Sequence, residues 1–227
     1  MPDAGATAIL QARGLSLEYA GGGERRAAVA DVDLDLAAHG FTAVVGPSGS
    51  GKSSLLYLLS GLRAPTRGQV SFDGLDFDRL GPAGVAALRR RRFGFIFQQH
   101  FLVNYLTAVE NVLLGAPRPD AAARRRAAGL LERLGLGDKL RRRPHQLSVG
   151  ERQRVAVARA MASEPAVIFA DEPTASLDQR TGREVISLLG GYRERGAVVV
   201  VTHDLGMTEG CDRVLAMRDG RLGAADL

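Results

Sequence analysis

The sequence predicts an α/β fold: helices layered on a mostly parallel sheet, with a helical insert of about 60 residues placed into it. Three observations carry this. The apolar runs Phe41–Val45, Ala166–Ala170 and Ala197–Val201 are strand-length and do not alternate, as suits strands buried on both faces. Loops and a helix-spaced segment, Thr181–Leu189, separate such runs in the order strand, loop, helix, strand. After Phe97 the period changes, and Thr107–Leu114, Ala121–Leu134 and Ser148–Ala162 all show helical spacing.

Taken in order, Ala8–Leu17 and Val32–Leu36 alternate apolar with polar residues and read as strands. Gly21, Gly22 and Gly23, followed by Glu24, Arg25 and Arg26, read as the loop between them. Phe41–Val45 runs into GPSGSGKSS, from which Leu55–Leu59 continues as a helix; Val70–Asp73 is a further short strand. Val85–Arg92 is expected to be a helix leading into the strand Phe93–Phe97. Gly135, Gly137 and Pro144 break the helical insert. The runs Arg89–Arg92 and Arg124–Arg126 are expected on solvated helix faces.

Composition bounds the function. A chain of 227 residues with 45% hydrophobic residues makes one large domain or two intimate subdomains, and excludes wholesale disorder. No apolar run approaches the ~18–20 residues that cross a bilayer, and the first residues lack the charged and apolar regions of a secretory leader. The single cysteine, Cys211, cannot form an internal disulfide; a reducing, cytosolic setting and a core-facing thiol are expected. The net charge of +5 and a pI near 10.0 are compatible with nucleic acid or an anionic membrane surface. The excess is nearly all arginine, which an Arg- and Ala-rich compositional bias also explains. Only Lys52 and Lys139 are lysines, so Lys52 stands where an ammonium is chemically demanded.

Gly46, Pro47, Ser48, Gly49, Ser50, Gly51, Lys52 and Ser53 fit G-x-x-x-x-G-K-[ST] between a strand and a helix. The glycines let successive backbone N–H groups point inward as an anion nest at a helix N-terminus. Lys52 is placed for β- and γ-phosphates, Ser53 for Mg²⁺ and Ser54 for a phosphate oxygen. In AVIFADEP, a strand ends in Asp171 and Glu172. Beside a phosphate loop, Asp171 is suited to Mg²⁺ and Glu172 to orienting and deprotonating a water.

LSVGERQRVAVARAM, Leu147–Met161, resembles the signature sequence of ATP-binding-cassette (ABC) ATPases, and the other motifs of that family follow in order over essentially the whole chain. The resemblance implies an adenine-stacking aromatic at Tyr19 and a Q-loop glutamine at Gln98 that ligates Mg²⁺ or water. It places a D-loop at Ser176, Leu177 and Asp178, and a switch histidine at His203 that senses γ-phosphate. It also implies that Ser148, Gly150 and Glu151 meet the nucleotide held by a second copy, so that two ATP are sandwiched head to tail. Val149 departs from the usual glycine there. A left-handed backbone at that position would strain a β-branched residue by about 1–2 kcal/mol, whereas a helical one would cost little. His39, His100 and His145 receive no role.

The fold implied is a phosphate-loop, RecA-like core with an N-terminal antiparallel β part over residues 1–96 and 161–227, and a helical subdomain over 97–160. RRFGFIFQQHFLVNYLTAVENVLLG, from Arg91, is similar to the lipoprotein-releasing, macrolide-export and cell-division ATPases. That likeness implies a separate membrane permease, of four transmembrane helices with a large extracytoplasmic domain, and a place on the cytoplasmic face of the membrane. Residues 101–106 are read two ways, as an apolar seat for that partner or as packing within the insert. No extra regulatory domain and no direct nucleic acid are expected. A cell-division signalling output uses the same chemistry, and a DNA- or RNA-associated ABC ATPase is the alternative of another class.

Overall fold

The structure is a computed structural model that describes residues 8–21 and 24–225. Its first two strands, β1 (Ala8–Gly21) and β2 (Glu24–Ala37), pair antiparallel, with β4 (Arg67–Phe72) and the short β5 (Leu75–Asp76) beyond β1. This four-stranded sheet, ordered β2-β1-β4-β5, is the N-terminal antiparallel part. Pairing continues past Leu17 and begins before Val32, so residues 24–26 belong to β2 rather than to a loop. Gly22 and Gly23 lie outside the described residues.

The second sheet has six strands, ordered β10-β9-β3-β8-β7-β6. In it β3 (Gly40–Val45), β6 (Phe93–Ile96), β7 (Val167–Asp171), β8 (Ala197–Thr202) and β9 (Arg213–Arg218) run parallel, and β10 (Arg221–Ala224) is antiparallel at the edge. The parallel runs expected from sequence are β3, β7 and β8, whereas β9 and β10 were not anticipated. Their turn carries a sequence cue nonetheless: Asp219 (φ 47°) and Gly220 (φ 78°) form the paired left-handed residues of a tight hairpin.

Among the described residues, six α-helices cover the sheets: α1 (Lys52–Leu59), α2 (Phe77–Arg92), α3 (Ala108–Leu113), α4 (Ala121–Arg133), α5 (Val149–Met161) and α6 (Gln179–Gly191). The second starts eight residues before Val85 and kinks at Gly81 (φ 63°), just before Pro82. Arg90–Arg92 and Arg124–Arg126 are exposed as expected, while Arg89 turns in to bond the Gly61 carbonyl.

Alternate residues of the parallel strands feed two cores. Val167, Phe169, Val199 and Val201 pack with α1 and the antiparallel sheet. Ile168, Ala170, Val198 and Val200 pack with α3, α4, α5 and α6. Burying a side chain such as Phe169, which is fully enclosed, contributes about 2–3 kcal/mol. The helical segment shares this second core with the sheet, and β6 touches α5 so closely that a Cβ on Gly94 would lie 2.3 Å from the Ala160 carbonyl oxygen.

Register fixes what meets at the carboxyl edge. Val45 lies beside Thr202, and Val201 beside Asp171. The loop after β3, the acid that ends β7 and the residues that follow β8 therefore share one row, where open parallel sheets bind ligands.

Candidate functional site

The loop from Gly46 to Gly51 leaves β3 and turns directly into α1. Gly49 (φ 79°) and Gly51 (φ 105°) take left-handed backbone that side chains resist. Gly51 also abuts β2, where an added Cβ would fall 2.0 Å from the Ala28 carbonyl oxygen. Lys52, 7% exposed, donates from Nζ to the Gly46 oxygen (2.7 Å) and the Pro47 oxygen (3.0 Å). Carbonyls solvate the ammonium but do not neutralise it, so the loop mouth holds positive charge at a helix N-terminus. Pro47, Ser48 and Gly49 form the exposed crest and Ser54 is half-buried on α1. The buried Ser50 Oγ has no partner among the described residues.

Asp171 ends β7 and is 4% exposed. Its Oδ1 accepts from Ser53 Oγ (2.8 Å) and its Oδ2 from Tyr57 Oη (3.1 Å). Burial pushes the carboxyl above its ordinary range, against the lowering effect of the two hydroxyls. Burial and the Asp171 charge push the Tyr57 phenol up to about 12, so it donates at neutral pH.

Glu172 takes φ 48° and anchors its N–H on the Val201 oxygen at 2.9 Å. Its Oε2 accepts from Thr202 Oγ1 (3.1 Å), and its Oε1 lies 2.9 Å from His203 Nδ1. Both oxygens are thus oriented by residues at the end of β8.

Lys52, Ser53, Asp171, Glu172 and His203 are brought together along this edge. Gln98 is exposed just past β6. Tyr19, 40% exposed, has the Arg63 guanidinium over its ring at 4.6 Å, so one ring face is already covered. Three further residues do their observed bonding locally. Asp178 caps α6, accepting from Thr181 N (3.1 Å) and Oγ1 (2.7 Å), and these bonds hold its carboxyl below the usual range. Ser148 and Glu151 form a reciprocal capping box on α5, with Lys139 paired to the Glu151 carboxylate. Val149 is the first residue of that helix, half-exposed and without positive φ, so the strain that a left-handed backbone would bring does not arise. Gly150 faces the D-loop segment: a Cβ there would lie 3.1 Å from Leu177 Cδ2 and 3.6 Å from the Ser176 oxygen.

Sequence reasoning missed Tyr57, Thr202 and Gln153. Tyr57 had a readable cue, standing four residues after Ser53 on the same helix face. Gln153 is buried in α5, donates to the Pro173 oxygen at 3.0 Å and lies 2.8 Å from His100 Nδ1, which gives His100 a structural partner that sequence could not reveal. Of the apolar stretch 101–106, Phe101 and Tyr105 are exposed, while Leu102 packs against the core and Arg159 holds the His100 and Phe101 carbonyls. Cys211 is half-buried against the core and its thiol is pushed up to about 12, chiefly by burial.

Comparison with known proteins agrees with this geometry. The family described as "ABC transporter" matches residues 29–175. The macrolide export ATP-binding/permease protein MacB 1/2 of Paracoccus denitrificans is 45% identical over 95% of the chain, which spans 33% of that relative's length. The lipoprotein-releasing system ATP-binding protein LolD of Pseudomonas fluorescens is 43% identical over 96% of the chain and 98% of its own length. Among solved structures, the dimeric, post-hydrolysis state of an ATP-binding cassette bound to ADP and Pi superposes with TM-score 0.87 at 34% identity, covering 95% of this chain and 98% of that one. The fold and site define an ABC-type ATPase cassette. The chain belongs to the ABC transporter family.

Proposed function

We propose that the chain is the ATP-binding and ATP-hydrolysing subunit of an ABC transporter, closing head to tail with a second copy on two Mg-ATP and driving a separate membrane permease. The observation that carries this is the shared row at the sheet edge, with the phosphate loop, Asp171 and the Glu172–His203 pair on adjacent strands. Phosphates are received by backbone N–H groups of residues 48–54 and by Lys52, whose two carbonyl partners are exchanged for phosphate oxygens. Tyr19 stacks adenine on the face that Arg63 leaves open.

The donors fit Mg²⁺: Ser53 Oγ, the Asp171 carboxylate and the Gln98 amide are hard oxygen ligands, few enough to leave room for water and phosphate. Bound there, Mg²⁺ neutralises charge on the β- and γ-phosphates. Glu172 takes the proton of the attacking water, and Thr202 and His203 fix the direction of its carboxylate. His203, exposed at the edge, also faces the γ-phosphate. Ser148, Gly150 and Glu151 of one copy and its Asp178 region complete the site of the other, with the α5 N-terminus aimed at the γ-phosphate. The single cassette spans 1–227, its core over 1–96 and 161–227 and its helical subdomain over 97–160.

The names of the relatives, a macrolide export ATP-binding/permease protein and a lipoprotein-releasing system ATP-binding protein, support export as the output; mechanotransmission through a four-helix permease with a large extracytoplasmic domain is the finer part of the proposal. The cassette then sits at the cytoplasmic face of the membrane, held by the permease; no helix among the described residues is long and apolar enough to cross it. The exposed Phe101 and Tyr105 are the seat for that partner.

The test is Glu172→Gln. It keeps ATP binding and loses at least about 100-fold in turnover, while Lys52→Ala loses ATP affinity. Tagged Glu172→Gln protein with ATP, captured from detergent-solubilised membranes, brings down a four-helix membrane protein. Steady turnover in Glu172→Gln removes Glu172 from its role, and capture of nucleic acid or soluble proteins alone removes the transport reading.

A further inference from the structure

Asp171 is gripped from one helix by two hydroxyls. Ser53 and Tyr57 stand one turn apart on the same face of α1, and each donates to a different oxygen of the carboxylate, at 2.8 and 3.1 Å. Both Asp171 oxygens sit in a buried site, where an unmet acceptor is costly. The two bonds fix the carboxylate plane relative to the loop that leads into α1. Ser53 has lone pairs to spare for a cation while it still donates to Oδ1. Tyr57 has no such second task at the loop: its hydroxyl proton is given to Oδ2.

We propose that Tyr57 is a positioning residue for the metal half of the nucleotide site, holding Asp171 Oδ2 so that Oδ1 and Ser53 present one oriented pair of oxygens to Mg²⁺. This rests on the ATPase reading above, and it assigns a function to a side chain that neither the phosphate-loop pattern nor the acidic strand end includes. Partners behind a ligand tune metal affinity without touching the metal. The α1 backbone carries Tyr57 and Lys52 together, so the same helix that receives the phosphates also sets the acid.

The experiment is binding of a fluorescent ATP analogue to the full chain, wild type and Tyr57→Phe, first in EDTA and then titrated with Mg²⁺. Tyr57 is half-buried, and Phe keeps its ring packing. The expected result is metal-free affinity within about twofold of wild type and a Mg²⁺ midpoint about tenfold higher. A Mg²⁺ midpoint unchanged in the variant overturns the proposal. So does an equal loss with and without Mg²⁺, since that marks general damage to packing; a thermal melt of the ligand-free variant reports the same damage directly. If wild type binds no nucleotide under either condition, the ATPase reading falls and takes this inference with it. Mg²⁺-dependent binding by wild type, with the variant tracking it, overturns the inference alone.

Discussion

Glu172 is kept in left-handed backbone, where a non-glycine residue costs of order 1–3 kcal/mol. The surroundings over-determine it: its N–H is tied to Val201 and its two oxygens to Thr202 and His203. An acid in that conformation turns away from the direction β7 would give it and towards the end of β8. Val149 shows the opposite case, an unusual residue without strain, because the α5 helix has already begun there. Val149→Gly is therefore expected to leave kcat within about threefold and to lower stability by about 0.5 kcal/mol or less; steady-state hydrolysis and urea unfolding check both. A larger gain in turnover would mean that Val149 meets the nucleotide sterically across the dimer. The phosphate-loop residues, Asp171 and Glu172 were legible because their chemistry is local to short motifs. Tyr57, Thr202 and Gln153 were not singled out because their partners lie 114, 30 and 20 residues away along the chain.

Helix α5 is closed at its start by a reciprocal box, and Glu151 serves both the Ser148 N–H and the Lys139 ammonium. The Lys139 bond is the largest cause that holds the Glu151 carboxyl below its ordinary range, followed by the Ser148 N–H. A carboxyl lowered in the folded state stabilises it above the ordinary glutamate range, and that contribution is lost as pH falls through the lowered value. Glu151→Gln keeps a box acceptor but not the charge. Wild type is thus expected to exceed the variant by about 0.5 kcal/mol at neutral pH, with screening allowed for, and the gap closes as pH falls below the ordinary glutamate range. Urea unfolding across that range measures it; a gap independent of pH would remove the Lys139 pair as its source. Among elements, β3, β7, β8 and α3–α6 were legible from apolar runs, helical period and breaking residues. The first half of α2 was masked by Gly81 and Pro82, and β9 by a mixed run whose partner, β3, lies far upstream.

At the scale of the molecule, the α5 N-terminus bonds to its own capping box and to Lys139 rather than to the phosphate loop of its own chain, and in the proposed dimer each site is finished by the other copy. Mixing Lys52→Ala with Ser148→Arg protein then makes heterodimers in which both defects fall in one site and the other is intact. Neither variant alone is expected to hydrolyse ATP, and the mixture recovers activity measured as phosphate release. No recovery would mean that each chain completes its own site. The layering was legible in the sequence, but the buttressing of the phosphate loop was not. Gly46 lies against the Met217 carbonyl, where an added Cβ would fall 2.2 Å from its oxygen, and the Gly220 N–H bonds the Ser50 oxygen at 3.0 Å while the Gly220 oxygen receives Ala30 N–H at 2.8 Å. This has a consequence for synthesis. A ribosome releases residues 46–53 early, but the strand and turn that brace them emerge more than 160 residues later. The nascent chain therefore carries the full nucleotide motif before the strand and turn that brace it exist. Competence arrives only once β9 and the turn after it have left the exit tunnel.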